Sequence, residues 1–180
     1  MPYGDLPATA WIAGLMGPGL TGLMQDISLL GSRAAVLAAV AVIALVLLLR
    51  QRWQDIALLL LAYGGGEMTV TFLKSYCQRP RPAAPLVLVH GYSFPSGHAL
   101  NIVLICGFMT CLLWPVWRRA WARGLTLAVS LCLILLVGFS RISLRAHWLD
   151  DVLAGYAIGL AWLLISKRLT AAIFPKLRKC

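Results

Sequence analysis

Apolar residues in this chain come in long blocks rather than in alternation. Five blocks, Ala34 to Leu49, Ile56 to Leu73, Ala99 to Trp117, Gly124 to Ser140 and His147 to Ser166, are long enough, or nearly so, to cross a bilayer as helices, at about 20 residues per crossing. No period-two pattern competes with them, so the fold class is all-α, a polytopic membrane helical bundle of five spans. The first thirty residues differ, being apolar but broken by Pro7, Gly14, Gly17, Pro18, Gly19 and Gly22. They read as an interfacial amphipathic segment feeding the first span at "LLGS". A sixth, short span there also fits, since breakers are tolerated in membrane helices. With no repeat, low-complexity tract or linker, the chain reads as one domain: segment 1–32, helical bundle 33–168 and basic tail 169–180.

Composition and charge sharpen this picture. Of 180 residues 61% are hydrophobic and 12% charged, more apolar surface than a soluble domain of this size can hide. The net charge of +10 sits in short clusters between the apolar blocks, without a basic helix or aromatic platform, so a nucleic-acid partner is not expected. If the spans alternate, Arg50, Arg52, Arg118, Arg119, Arg123, Lys167, Arg168, Lys176, Arg178 and Lys179 share one side. The positive-inside rule makes that side cytoplasmic, the C-terminus included. Arg33, Lys74, Arg79, Arg81, Arg141, Arg145 and all three histidines fall on the other side. Cations that break the rule therefore gather with the imidazoles, on the expected extracytoplasmic face. Of the five cysteines, Cys106, Cys111 and Cys132 lie inside apolar blocks, and Cys77 and Cys180 fall on opposite faces, so no structural disulfide is expected. No basic n-region precedes the first apolar stretch, and no cleaved signal peptide is expected.

Three stretches meet on the histidine-bearing side. "KSYCQRPRP" gives Lys74, Arg81 and Pro82; "PSGH" is Pro95 to His98; "SRISLRAHWLDD" gives Ser140, Arg141, His147 and Asp151. Together they resemble the type 2 phosphatidic acid phosphatase (PAP2) family, whose motifs read K-x6-R-P, P-S-G-H and S-R-x5-H-x3-D. All eleven fixed positions match in order between residues 74 and 151. The resemblance implies a lipid phosphatase in which His147 is the nucleophile forming a phosphohistidine, Asp151 orients it, and His98 is the general acid. Members of the family typically carry one further N-terminal span, which this chain is expected to lack.

The residues themselves suit that chemistry. Negative charge grows on the equatorial oxygens during phosphoryl transfer, so catalysis is mainly positioning and charge stabilisation. Lys74, Arg81 and Arg141 supply fixed cations, the arginines with forks able to grip oxygens bidentately. Ser96 and Gly97 open a helix whose free N–H groups favour an anion, Ser96 as a cap and hydroxyl donor, Gly97 for lack of a Cβ. His147 and Asp151, four apart at the start of the last span, share a helical face, and a carboxylate there can fix the imidazole tautomer. Asp150 lies about 300° around the helix from His147, against an effective ~40° for Asp151, and reads as a helix-start charge. Three histidines and few carboxylates do not present a metal spacing, so neither metal nor cofactor is expected.

Several residues admit two readings. Glu67 sits inside a span, seven residues before Lys74 and about 10 Å deeper; it is either a partner of the basic pocket or a packing residue. Arg79 and Arg145 touch a headgroup or are solvated loop charge, and His90 reads as a loop residue. Trp114, Trp117, Trp121 and Trp148 fit interfacial belts.

The substrates implied are polyprenyl (undecaprenyl) diphosphate, phosphatidylglycerol phosphate and phosphatidate, with a small outward pocket leaning towards the first. The setting expected is a bacterial inner or cell membrane. A lipid phosphotransferase with the same phosphohistidine is a neighbouring alternative, and a non-catalytic lipid-phosphate-binding protein an alternative of another class. Intact His98, His147 and Asp151 argue against the latter. A transporter would need more mid-membrane polar groups than Glu67.

Overall fold

A computed structural model describes residues 16–175. Among them the chain forms six helices: α1 (Pro18–Leu29), α2 (Arg33–Leu49), α3 (Trp53–Cys77), α4 (Gly97–Leu113), α5 (Ala120–Ser143) and α6 (Leu149–Ile173). There is no strand among these residues. The expectations for residues 1–15 and for Lys176, Arg178, Lys179 and Cys180 lie outside the described part.

Four stretches are long and apolar enough to cross a membrane: Pro18–Leu49, taken across a break at Leu30–Ser32, and α3, α5 and α6. Their outward surfaces keep the apolar character of the interior, with Leu125, Leu131 and Leu135 of α5 and Val42, Leu45 and Leu49 of α2 exposed. Such a surface is stable only with hydrocarbon as solvent, so the protein is integral to a membrane. α4 is shorter, 17 residues or about 25 Å, against a hydrocarbon core of about 30 Å. The expected third span ran on to Trp117, but the helix stops at Leu113, ahead of Pro115, which has no N–H to continue the ladder.

α4 is apolar around its whole circumference and therefore takes the centre. Its residues from Ala99 to Leu104, with Cys106 and Phe108, are buried against α2, α3, α5 and α6. The tightest of these contacts is with α6. A Cβ on Gly155 would come within 2.5 Å of the Ser96 carbonyl oxygen, and one on Gly159 within 3.1 Å of the Leu100 carbonyl oxygen. Two glycines four apart thus let the backbones approach as small residues do between membrane helices. The contact is sealed where the Ser96 N–H donates to the Asp151 carbonyl at 2.9 Å.

At the other side of α4, the break between α1 and α2 crosses its first turn. Gly31 sits where a Cβ would meet the His98 carbonyl at 2.9 Å, and its own carbonyl accepts from Asn101 Nδ2 at 3.3 Å. α1 then packs along the end of α5. The helix ends that carry the three sequence motifs consequently converge at one end of the bundle, while Asp55, Lys167 and Arg168 cluster at the opposite end.

The α4–α6 contact generates a stability prediction. Gly155→Val should lower the thermal midpoint in detergent, overpacking costing about 1–3 kcal/mol. Gly64→Ala, in a helical position with nothing within 4 Å of the added carbon, should be neutral or slightly stabilising, since alanine is the better helix former. Equal midpoints for the two variants would show that the helices do not pack this closely.

Candidate active site

Each motif is held by a local device. α3 ends at Gln78, left-handed at φ 45°, whose N–H closes on the Lys74 carbonyl. That leaves Lys74 in the last turn, where its Nζ donates to the Tyr92 carbonyl at 2.8 Å. The loop from 78 to 96 carries no regular structure, and Arg81 staples it. Arg81 Nε donates to the Gly91 carbonyl (3.0 Å), Nη2 to that of His90 (2.9 Å) and Nη1 to that of Ala146 (2.7 Å). The side of the fork expected to grip phosphate bidentately is therefore engaged by backbone, leaving Nη1 turned towards His147 Nε2 at 3.4 Å.

Ser96 is fully buried and caps α4, accepting from the Ala99 N–H at 3.4 Å. The space above Gly97 is open, Val70 Cγ1 at 4.0 Å being the one neighbour among the described residues that a Cβ there would meet. Arg141, in the last turn of α5, is buried and donates through Nη1 to Ser28 Oγ of α1. Its carbonyl accepts from the N–H groups of both Ala146 and His147, which folds the short connection back and brings His147 beside it.

His147 precedes α6 rather than starting it. Its approach to Asp151 therefore does not come from helical spacing, as the sequence pattern predicts. It comes from the helix-start turn, in which Asp151 Oδ2 accepts from the Trp148 N–H at 3.0 Å, the carboxylate half of a capping arrangement. Asp151, 0% exposed, stands 3.4 Å from His147 Nδ1, loose for a hydrogen bond. Asp150 points away and is mostly exposed.

Arg79 is better placed than its position in the sequence indicates. It is largely buried, pairs with both Asp150 and Asp151 (2.9 Å to Asp151 Oδ1) and lies over the Trp148 ring at 5.7 Å. Trp148, read as a belt residue, is buried, and its indole N–H donates to the Pro80 carbonyl. No spacing rule marks Arg79 or Ser28; a polar residue inside an apolar stretch is the one sign that Ser28 gives.

Lys74, Arg81, Gly97, His98, Arg141 and His147 line one cavity of about 270 Å³, to which Leu88, Val89 and His90 of the loop also contribute. Asp151 and Ser96 stand behind its wall, each buried. Glu67 lines an adjoining lobe that shares Lys74, Gly97 and His98 with the cavity. Thus segments distant in sequence surround one anion-sized space with cations and three histidines.

A model of the PAP2 superfamily matches residues 55–175. This protein belongs to the PAP2 superfamily. Phosphatidylglycerophosphatase B of Bacillus subtilis (strain 168) is 30% identical over 147 residues, covering 79% of this chain and 71% of that protein. An undecaprenyl-diphosphatase of Sulfolobus acidocaldarius is 37% identical over 90 residues, 49% of this chain and 35% of that one. The crystal structure of the PAP2 type phosphatidylglycerolphosphate phosphatase from Bacillus subtilis superposes with a TM-score of 0.83 at 27% identity, covering 92% of this chain and 83% of that one. That of Aquifex aeolicus LpxE gives 0.72 at 24% identity over 91% and 94%, a likeness of fold. The chain is a membrane-embedded phosphatase of the PAP2 type.

The electrostatics of this PAP2 site follow from burial. Desolvation drives the His147 imidazole from 6.5 down to about 4, opposed by Asp151 and assisted by Arg141, Arg81 and Lys74. Burial also lowers the Arg81 guanidinium, with Asp151 pulling the other way. His147 is therefore neutral at physiological pH. Between about 4 and 6.5 the unfolded chain holds the extra proton, so stability falls as pH drops through that window. His147→Asn should flatten the fall of the thermal midpoint between pH 7 and pH 4.5; a slope identical to that of the parent would show that the folded imidazole titrates normally.

Proposed function

We propose that this PAP2 protein removes the terminal phosphate from a membrane lipid through a phosphohistidine on His147, at the extracytoplasmic end of a five-span bundle. The observation that carries this reading is the placement of His147: Nδ1 faces the buried Asp151 carboxylate, and Nε2 faces the cation-lined cavity beside Arg81. In the first step Nε2 attacks phosphorus, the P–O bond to the lipid breaks, and His98 delivers a proton to the leaving oxygen. In the second, water attacks phosphorus, the P–N bond breaks, and His98 takes up the proton. Lys74, Arg81 and Arg141 offset the charge that grows on the transferring group, and the first N–H groups of α4 at Gly97 and His98 add their partial positive charge. Ser96 serves this seat as the cap of α4. Asp151, clamped by Arg79 and the Trp148 N–H, keeps the proton of His147 on Nδ1 so that Nε2 is free to attack. No metal takes part in these steps.

The orientation has independent support in charge. The end opposite the cavity carries Lys167 and Arg168, as a cytoplasmic end should. α1 then lies at the outer interface, where it packs on the end of α5.

Purified protein in detergent with EDTA should release inorganic phosphate from a lipid phosphate, and His147→Ala should lower the rate by more than about 10⁴-fold, beyond the 10²–10⁴-fold typical of a lost acid or base. Activity surviving that change rejects the nucleophile. Phosphate appearing on an acceptor lipid rather than in water would make the enzyme a transferase. Inorganic phosphate at ~100 times its Kd should stabilise the fold by about 2.7 kcal/mol, and Arg141→Ala should abolish the gain; a midpoint indifferent to phosphate would argue against a phosphate seat.

A further inference from the structure

The lobe beside the catalytic cavity is about 170 Å³, and besides the shared Lys74, Gly97 and His98 it is walled by Arg33, Glu67, Val70, Thr71 and Asn101. Glu67 lies two turns below Lys74 on the same face of α3, so the lobe runs from the phosphate seat towards the middle of the membrane. Arg33, at the start of α2, approaches Glu67 with Nη2 2.7 Å from Oε2; its side chain is 67% exposed and that of Glu67 15%. The ion pair therefore stands at the lobe's lipid-facing mouth. Asn101 is buried with Nδ2 turned to the Gly31 carbonyl, and its Oδ1 has no hydrogen-bond partner.

If His98 protonates the leaving oxygen, as proposed above, whatever lies on the lipid side of the breaking bond must enter this lobe. An apolar tail could lie along Val70 but would leave the ion pair and the Asn101 amide without a polar contact. An anion is the better occupant. A guanidinium has five N–H donors; the ion pair with Glu67 involves Nη2 alone and leaves other donors of the fork for an anion.

We propose that Arg33, held by Glu67, binds a second phosphate on the lipid side of the scissile bond and so selects lipids that carry two phosphates over those that carry one. The inference rests on the phosphatase reading and deepens it. Glu67 acts through Arg33 as a positioning residue, and Arg33 touches substrate outside the reacting atoms.

The test uses the full chain in detergent with phosphatidylglycerol phosphate and phosphatidate of the same acyl chains, measuring kcat and KM for each. The parent enzyme should favour the two-phosphate lipid in kcat/KM. Arg33→Gln should collapse that preference by about 10- to 100-fold, as loss of a hydrogen bond to a charged group does, with the change in KM rather than kcat. Arg33→Lys should restore part of it, and Glu67→Gln should weaken it less than Arg33→Gln does. Equal losses on both lipids would mean a structural role, and an unaltered preference, or a parent enzyme that favours phosphatidate, would equally overturn the proposal. A parent enzyme that releases phosphate from neither lipid sinks the phosphatase reading first, and this one with it.

Discussion

The site exists because α4 and α6 touch backbone to backbone. Glycine at 155 and 159 removes the side chains that would hold the helices apart, and the Ser96 N–H reaches the Asp151 carbonyl as a result. That one hydrogen bond ties the start of α4 to the start of α6, and hence His98 to His147. In hydrocarbon there is no water to expel, so close packing and satisfied backbone groups supply what a hydrophobic core supplies elsewhere. Every other contact at this end presupposes that spacing. Arg141 folds the α5–α6 connection over it, and Arg81 and Trp148 fasten the long loop to the outside.

Holding cations together beneath a loop is unfavourable without anions, and the chain meets the cost unevenly. Arg79 has carboxylate partners in Asp150 and Asp151. Lys74 and Arg81 turn instead to backbone carbonyls, and Arg141 to a hydroxyl. Carbonyl and hydroxyl dipoles orient a cation without cancelling its charge, so positive potential is kept where an anion would enter. The acid that does lie in the cavity wall region, Asp151, is screened from the cavity by His147 and occupied by the Trp148 N–H and Arg79. Charge is neutralised behind the site and preserved in front of it.

Much of this was legible in the sequence because motif spacing and hydropathy are local quantities. The helical class and the preference for Asp151 over Asp150 beside His147 follow from local patterns, while Lys74 and Arg141, just past the ends of the expected spans, lie in the last helical turns. What was not legible depends on tertiary geometry. The pair of His147 and Asp151 fits helical spacing on paper, yet a capping turn brings it together, because His147 is drawn out of the helix by the Arg141 carbonyl. Arg79 has no marker in sequence, since its partners are some seventy residues away. The end of α4 was misjudged because apolar residues continue past Pro115 while the helix does not.

The cavity system has two ends, one lined by Leu88, Val89 and His90 of the loop and the other by Arg33 and Glu67. On the hydrolase reading proposed above, two such ends would let inorganic phosphate and the rest of the lipid leave by different paths. His98, on the border of both spaces, is where those paths divide.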